Sequence, residues 1–230
     1  MTKVTILTPA LEINDDFEKT FESIRYLAGL NELNWIVINK SDSKSLKSFA
    51  PGCVMISGPD RGLYDALNVG LDFCSTKFFQ VLGIGDTLIA ENEYRAIQLL
   101  SDQSAIYTFP IENGGSRRIA MPEPEGLTKQ MSCPHPGVFC PLEATRHLGG
   151  FSLTYRIAGD YELLSKLAKS GVKFFNSTTL PVVHFKGGGL SDRHVLESGL
   201  ENALIKKRIW AYPDRLIVSE MLDFTGLAGC

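Results

Sequence analysis

The chain has 230 residues, of which 44% are hydrophobic and 21% are charged, and its formal net charge is -3. This is an ordinary globular composition, so it excludes a largely disordered chain and a global basic field that would attract nucleic acid. The cysteines are odd in number and include no Cys-x-x-Cys pair, which argues against a disulfide framework or a structural zinc site. They are Cys53, Cys74, Cys133, Cys140 and Cys230.

Strands and helices alternate through the first half of the chain. Short runs of apolar, β-branched residues predict buried strands over 4–7, 35–38, 54–56, 78–82 and 105–109. Helical spacing predicts helices that begin at Asn14, as the N-cap, and that cover 44–49, 62–73 and 91–100. This alternation predicts an α/β fold with a Rossmann-like, mostly parallel central sheet and helices on both faces.

The pattern changes after Pro110. Residues 110–136 are rich in Gly, Pro and charge, which predicts loops with at most a hairpin. Further strands are predicted over 138–140, 172–175 and 182–185, and helices over 142–148, 160–170 and 192–210. Ser191 is the expected N-cap of the last helix, and the glycines 187–189 predict a mobile segment. No repeat or linker divides the chain, so we expect one domain over 1–230.

We expect a cytoplasmic protein, because no apolar run approaches the ~20 residues that span a bilayer and the N-terminus does not resemble a signal peptide. Peripheral contact with the inner face of a membrane is an option, because basic and aromatic residues cluster near the end of the last predicted helix. They are Lys206, Lys207, Arg208, Trp210 and Tyr212. We favour the alternative of a solvated basic helix end that suits the helix dipole.

In a parallel α/β sheet, ligands bind beyond the carboxyl ends of the strands, so the residues at those ends are the candidates. They are Thr8, Pro9, Asn39, Asp60, Arg61, Gly85 and Asp86. Two carboxylates and a cation on one rim suit a diphosphate with a divalent metal, because Arg61 can bind phosphate bidentately and Asp86 can hold Mn²⁺ or Mg²⁺. Asp and Gly also dominate turns, and composition alone favours that alternative.

Several segments of the chain resemble the family 2 glycosyltransferases of the GT-A fold. Residues 57–70 are Ser-Gly-Pro-Asp-Arg-Gly-Leu-Tyr-Asp-Ala-Leu-Asn-Val-Gly, where many members carry Glu-Pro-Asp-Lys-Gly-Ile-Tyr-Asp-Ala-Met-Asn-Lys-Gly. The resemblance continues over 81–86, 134–139, 148–151 and 157–163, so it covers roughly residues 3–210 in the expected order. It implies a GT-A fold and transfer of a sugar, with inversion, from a nucleotide-diphosphate donor that we expect to contain uridine.

The resemblance also implies roles for single residues. Asp86 matches the last acid of the family's Asp-x-Asp-like metal signature, and His184 lies where some members place a histidine near the metal. Asp160 matches the carboxylate assigned as general base, and Ala158 and Gly159 before it are expected to leave space for an acceptor. The donor site would take in Thr8, Pro9, Asn39, Asp60, Arg61 and Gly85.

Both Asp160 and His135 also have independent arguments. An acceptor hydroxyl needs a base to take its proton, and a carboxylate within hydrogen-bond reach can do so. The alternative for Asp160 is a residue of the helix N-terminus, and the two roles are compatible. His135 lies between two prolines and is a candidate for acceptor contact, whereas Tyr64 is expected to be packed.

Two departures from the family pattern affect the donor site. Relatives usually have an Asp at the end of the second strand, where this chain has Asn39, and residues 83–86 keep only one acid. Asn can still hydrogen-bond a base edge, and a metal held by one carboxylate would take its other ligands from diphosphate and water. These departures keep open a degenerate homologue that binds a nucleotide sugar without turnover.

The expected function is therefore sugar transfer to a hydroxyl of a saccharide or lipid-linked acceptor in surface polysaccharide biosynthesis, the acceptor class resting on analogy alone. Residues 1–109 would form the half that binds the nucleotide sugar, and residues 110–230 the acceptor half with its C-terminal helix. A sugar-phosphate nucleotidyltransferase is the rival enzyme. It would normally show a Gly-rich, basic loop after the first strand, where residues 8–12 are Thr-Pro-Ala-Leu-Glu.

Overall fold

A computed structural model describes residues 2–42, 44–114 and 118–213. Its strands are β1 (Val4–Ala10), β2 (Leu33–Lys40), β3 (Ser45–Ala50), β4 (Cys53–Gly58), β5 (Phe78–Val81), β6 (Thr87–Leu88), β7 (Ile106–Thr108), β8 (Ile111–Asn113), β9 (Arg118–Ala120), β10 (Val138–Pro141), β11 (Phe174–Asn176) and β12 (Val183–Phe185). Its helices are α1 (Asp15–Gly29), α2 (Leu63–Phe73), α3 (Ala90–Leu99), α4 (Leu142–His147), α5 (Gly159–Lys169), α6 (Leu190–Arg193) and α7 (Val195–Trp210).

The central sheet contains eight strands in the order β11-β7-β10-β5-β1-β2-β4-β3. Four neighbouring pairs are parallel, and the antiparallel strands are β10 in the interior and β3 at the edge. Side chains alternate across β1, so Leu7 joins a core cluster with α2, α5 and α7, whereas Ile6 joins a cluster with α1 and α3. The predicted α/β class, with a mostly parallel sheet and helices on both faces, is confirmed.

A second sheet of four short strands has the order β6-β12-β8-β9. It occupies part of the region that the sequence predicts as loops, and the β8–β9 pair is the expected hairpin. The parallel neighbour of β8 is β12, which follows about seventy residues later in the chain, and β6 completes the sheet on the other side. Pairing over such a separation leaves no local signal in the sequence, because each strand has only two or three residues.

The prediction of a helix over 44–49 is wrong, because this segment forms β3, antiparallel to β4. The physical reason is an aromatic cluster that the extended backbone allows. The Phe49 ring lies 5.6 Å from Trp35, 5.7 Å from Phe21 and 6.2 Å from Phe17, centroid to centroid. This edge strand is largely exposed, and the packing of its one aromatic anchor stabilises it more than an isolated helical turn would be stabilised in water.

Helix ends are partly as predicted. Asn14 is the N-cap of α1, since its side-chain oxygen accepts the amide hydrogens of Asp16 and Phe17 at 3.1 and 3.3 Å. The single helix predicted over 192–210 is instead two helices that break at His194, and Gly189 rather than Ser191 is the N-cap of α6. The Asp192 carboxylate accepts the Gly188 and Gly189 amides at 2.7 and 3.2 Å, which holds the start of α6.

The C-terminal basic cluster is partly exposed, since Lys207 and Arg208 are exposed and Lys206 is buried. Lys206 is buried and its ammonium lies 5.5 Å from the centre of the Tyr212 ring, while Trp210 packs against the core. Among the described residues, no helix is long and apolar enough to cross a membrane. Four of the cysteines are free and buried, and Cys230 lies outside the described residues.

One buried acid, Glu93 of α3, makes the stability of the fold depend on pH. It is fully buried, and its carboxyl group interacts with the Gln80 side chain, which lowers its pKa against the larger effect of burial. Burial raises the pKa of Glu93 to about 8. Because this pKa lies above that of an unfolded glutamate, the folded state binds the proton more tightly and stability falls as pH rises from about 4 to about 8.

We therefore expect Glu93→Gln to stabilise the protein above pH ~8. In the wild type, folding at this pH either buries a charged carboxylate or requires the carboxyl to take up a proton, and both cost free energy, whereas the Gln amide is neutral at every pH. Thermal unfolding of both proteins at pH values from about 5 to about 9 should show a gap that widens with pH. Glu91→Gln, at an exposed residue paired with Arg95 one turn away, is the matched control. A gap of the same size at every pH would contradict the assignment of the titration to Glu93.

Candidate functional site

A cleft of about 630 Å³ opens between the carboxyl ends of β1 and β5 and the second sheet. Four of the predicted site residues line it, namely Pro9, Asp86, His135 and Asp160. Residues of the second sheet and of the segment that follows it line the opposite side, and they include Ile111, Asn113, Ala120, Phe185 and Gly189. The fold thus joins the strand ends of the first half to the predicted acceptor residues of the second half.

Asp86 follows β5 and is almost fully buried. Its Oδ1 accepts the Lys186 amide hydrogen at 2.8 Å and its Oδ2 accepts that of Gly83 at 3.2 Å, while its backbone carbonyl accepts the Thr20 hydroxyl. Burial raises the pKa of Asp86 to about 6, against the lowering effect of these amides. The residue therefore combines an anionic side chain with a fixed orientation, at the point where β5, α1 and the end of β12 meet.

The fit of this site to a divalent cation rests on Asp86 alone. Among the described residues, no group of three or more His, Cys, Asp or Glu side chains could together hold a metal ion. His184 does not join Asp86, because its Nδ1 lies 2.9 Å from the Glu112 carboxylate on β8. Side chains alternate along β12, so the neighbouring Phe185 lines the cleft and His184 lies on the other face.

The predicted phosphate-binding pair after β4 is engaged locally. The Asp60 carboxylate accepts the Gly62 amide at 2.9 Å and lies 3.4 Å from the Lys40 ammonium. Arg61 is three-quarters exposed, and its guanidinium contacts the Asp65 carboxylate at 2.9 and 3.3 Å, which holds the pKa of Asp65 below its usual range. Neither Asp60 nor Arg61 lines the cleft, so Arg61 reaches a ligand there only by leaving Asp65.

The two strand-end residues expected against the nucleoside differ in accessibility. Thr8 is fully buried and its hydroxyl accepts the indole N–H of Trp35 at 2.8 Å, so its side chain supports the core. Pro9 is the member of this pair that lines the cleft. Asn39 lies at the end of β2, and its amide nitrogen is 3.5 Å from the Ser57 hydroxyl, which leaves most of its hydrogen-bonding capacity to other partners.

Lys186 is the cation nearest Asp86 that the sequence did not single out. Its amide binds Asp86, and its ammonium pairs with Asp16 at the start of α1 and lowers the pKa of Asp16. The lysine chain passes over Gly85, where an added Cβ would lie 2.5 Å from the lysine Cδ. Gly85 also has a φ of 93°, a backbone conformation that favours glycine at this turn.

Asp160 lies in the first turn of α5, as the helix-terminus interpretation predicts. Its Oδ1 accepts the Tyr161 amide at 2.8 Å and lies 3.4 Å from the Tyr64 hydroxyl, and its Oδ2 lies 3.8 Å from Nδ1 of His135. Burial lowers the pKa of His135, although the charge of Asp160 opposes this. The neutral imidazole and the carboxylate therefore face each other across a gap wider than a hydrogen bond, with side chains 13% and 25% exposed.

The space expected above Ala158 and Gly159 is not free for an acceptor, because the Tyr64 ring fills it. A Cβ added to Gly159 would lie 2.7 Å from the ring. The expectation that Tyr64 is packed is confirmed, since it is buried, stacks on Phe151 at 5.6 Å and donates its hydroxyl hydrogen to the Ile157 carbonyl. The Tyr64 side of Asp160 is therefore closed to an acceptor, whereas Asp160 and His135 both line the cleft.

Comparison with known proteins supports a coarse class. No protein-family model matches the chain. An uncharacterized glycosyltransferase of Mycobacterium tuberculosis, in strains CDC 1551 and H37Rv, is 25% identical over 179 residues, which are 72% of this chain and 68% of that protein. This relationship makes the chain a glycosyltransferase at the level of its general class.

Solved structures share the fold. TarS 1–349 of S. aureus matches with a TM-score of 0.62 at 11% identity. The match covers 97% of this chain and 71% of the TarS chain. Mannosyltransferase PcManGT from Pyrobaculum calidifontis, solved with GDP-Man and Mn²⁺, matches with a TM-score of 0.65 at 14% identity. The match covers 96% of this chain and 69% of the PcManGT chain. The architecture is therefore of GT-A type, whereas the finer assignment to family 2 stays a prediction.

The contact between Gly159 and Tyr64 predicts the effect of one added methyl group. Gly→Ala within a helix normally stabilises by up to about 1 kcal/mol, but Gly159→Ala should destabilise the protein by about 1–3 kcal/mol because the ring must move. Urea unfolding measures the difference. Gly29→Ala is the control, since nothing lies within 4 Å of a Cβ at that position. A Gly159→Ala protein as stable as wild type would show that the ring does not occupy this space.

Proposed function

We propose that the chain is an inverting glycosyltransferase of the family 2 type, which moves a sugar from a nucleoside-diphosphate donor to a hydroxyl of a saccharide or lipid-linked acceptor in surface polysaccharide biosynthesis. The observation that carries the proposal is the single cleft that joins Asp86 to His135 and Asp160. Residues 1–109 form the donor half and residues 110–230 the acceptor half. The expected donor is a UDP-sugar, in line with the TarS complex with UDP-GlcNAc, and GDP-mannose is the alternative suggested by PcManGT.

In this proposal the donor lies along the carboxyl ends of the strands. Pro9 and Asn39 contact the nucleoside, and the diphosphate lies beside Asp86 and Lys186. Lys186 carries one positive charge to that place and Arg61 supplies a second after leaving Asp65, so both offset the charge of the phosphate oxygens. Asp86 would hold Mn²⁺ or Mg²⁺ together with the diphosphate and water, and the cation would stabilise the charge on the departing diphosphate.

Asp160 is the proposed general base. Its Oδ1 is held by the Tyr161 amide, so Oδ2 on the His135 side is the oxygen that takes the acceptor proton. The acceptor oxygen then bonds to the anomeric carbon as the bond from that carbon to the diphosphate oxygen breaks, and the electron pair leaves with the diphosphate. Neutral His135 can accept or donate one hydrogen bond to orient the acceptor hydroxyl. Attack from the face opposite the diphosphate inverts the anomeric configuration.

Donor binding is tested by thermal unfolding with UDP-GlcNAc and with GDP-mannose, each with and without Mn²⁺. A ligand that binds only the folded state raises the melting temperature by mass action, and we expect Mn²⁺ to enlarge the shift. Asp86→Asn should lose this enlargement, whereas Asp72→Asn, at an exposed residue of α2, should keep it. Absence of any shift with both donors would overturn the donor proposal, and an unchanged enlargement in Asp86→Asn would overturn the metal assignment.

The base is tested by Asp160→Asn, which keeps the size of the side chain but takes no proton at neutral pH. Release of nucleoside diphosphate in the presence of a panel of glycoside acceptors should fall by about two to four orders of magnitude, while the donor-induced thermal shift stays at its wild-type value. Glu162, the next carboxylate along α5, needs no parallel test, because it is buried, pairs with Lys166 at 2.9 Å and does not line the cleft. Activity within a few-fold of wild type would show that Asp160 is not the base.

A further inference from the structure

The Glu201 carboxylate on α7 accepts hydrogen bonds from three consecutive backbone amides. Its Oε1 accepts the Arg156 amide at 2.7 Å, and its Oε2 accepts the Ile157 and Ala158 amides at 2.9 and 2.8 Å. The three amides point at one anion, which is the arrangement that backbone N–H groups adopt around a bound anion. Here the anion is a side chain from a helix more than forty residues further along the chain.

These amides belong to the segment that leads directly into the proposed base. The Ala158 carbonyl accepts the Glu162 amide at 3.0 Å, so the peptide groups of this residue are fixed on one side by Glu201 and on the other by α5. The Ile157 carbonyl accepts the Tyr64 hydroxyl, whose oxygen is also 3.4 Å from Asp160. The start of α5, and with it the position of Asp160, is thus tied to α7 and to α2.

Burial makes the carboxylate necessary for this geometry. Ile157 and Ala158 are 6% and 4% exposed, so water cannot easily replace a lost acceptor. A buried amide without a partner is costly, and a segment with two such amides, at Ile157 and Ala158, would rearrange to find other acceptors. The first residues of α5 would move with it, since Asp160 is only two residues beyond Ala158.

We propose that Glu201 is a positioning residue for Asp160, which holds the 156–158 segment so that the Asp160 carboxylate faces the His135 side of the cleft. This inference rests on the proposed role of Asp160. Glu201 itself does not line the cleft, so it acts through the backbone rather than on a substrate. Its loss should therefore lower turnover and leave donor binding intact.

The same helix provides a matched control. Glu197 lies one turn before Glu201 and its carboxylate contacts the Arg156 guanidinium at 3.1 Å, on the exposed surface. It bonds to a side chain and to none of the three amides. Glu197→Gln removes the same charge from the same face of α7. It therefore distinguishes the effect of losing a charge on the helix from the effect of losing the hydrogen bonds to the three amides.

The variants are Glu201→Gln, which replaces one carboxylate oxygen by an NH₂ group that repels an amide hydrogen, and Glu201→Asp, which keeps the charge but withdraws it by one methylene. Turnover at saturating donor should fall by about 10- to 100-fold in both, since a misplacement of about 1 Å can cost that much. The donor concentration at half-maximal rate should stay within about three-fold of wild type, and Glu197→Gln should match wild type in both values. Full activity in Glu201→Gln, or in Glu201→Asp alone, would overturn the proposal.

A double-mutant cycle separates this inference from the assignment of the base. If Glu201 acts through Asp160, then Glu201→Gln should lower turnover little further in the Asp160→Asn background, so the two effects are not additive. Additive effects, with a large loss in Asp160→Asn alone, would overturn the positioning role and leave the base assignment standing. A negligible effect of Asp160→Asn, with a large effect of Glu201→Gln, would overturn the base assignment and with it the route proposed for Glu201.

Hydrogen exchange gives a readout that needs no acceptor. The amides of residues 156–158 should exchange faster in Glu201→Gln than in wild type, and the change should extend to the amides of residues 160–162 at the start of α5. Glu197→Gln should leave these rates unchanged. Unchanged protection in Glu201→Gln would contradict the proposal even before any acceptor is known.

Discussion

Backbone amides in and near the cleft must find acceptors, and carboxylate side chains supply several of them. Asp60 accepts the Gly62 amide, Asp86 accepts two amides, Asp160 accepts the amide of Tyr161, and Glu201 accepts three. Burying an amide without an acceptor costs free energy, and so does burying a carboxylate without donors. A hydrogen bond between the two groups removes both costs. These carboxylate–amide hydrogen bonds hold the loops at the cleft in place, because few loop residues form hydrogen bonds with a neighbouring strand.

This constraint also sets the electrostatics of the cleft. Three cations near the cleft are paired with acids, namely Lys186 with Asp16, Arg61 with Asp65 and Lys40 with Asp60. A diphosphate would therefore compete with carboxylates for these partners, rather than meet free positive charge. Exposed ion pairs of this kind contribute little to the free energy of folding. Exchanging the carboxylate for a phosphate at Lys186 or Arg61 therefore costs little free energy. In the proposed function, the phosphates of the donor would replace these carboxylates as partners of the cations.

The two halves of the cleft come from distant parts of the chain. The Asp86 carboxylate binds the amide of a residue 100 positions away, and the Tyr64 hydroxyl binds the carbonyl of a residue 93 positions away. The central sheet makes these meetings possible, because β10 inserts antiparallel between β5 and β7 and brings the His135 turn to the carboxyl end of β5. The proposed donor and acceptor residues are consequently fixed to one another by the central sheet.

The sequence by itself determined the α/β class, most of the strands and helices of the central layer, and the strand-end position of Asp86, because apolar periodicity and turn residues are local signals. It also placed Asp160 at the start of a helix. Only the tertiary structure decided that Thr8 faces the core, that His184 pairs with Glu112, that Tyr64 fills the space at Gly159 and that residues 45–50 form an edge strand. The contacts of Lys186 with Asp86 and of Glu201 with the Ile157 amide are likewise visible only in the tertiary structure. The physical reason is that a side chain's partners across the fold are chosen by packing and by the demand of buried polar groups for hydrogen bonds, neither of which is encoded in the neighbouring residues.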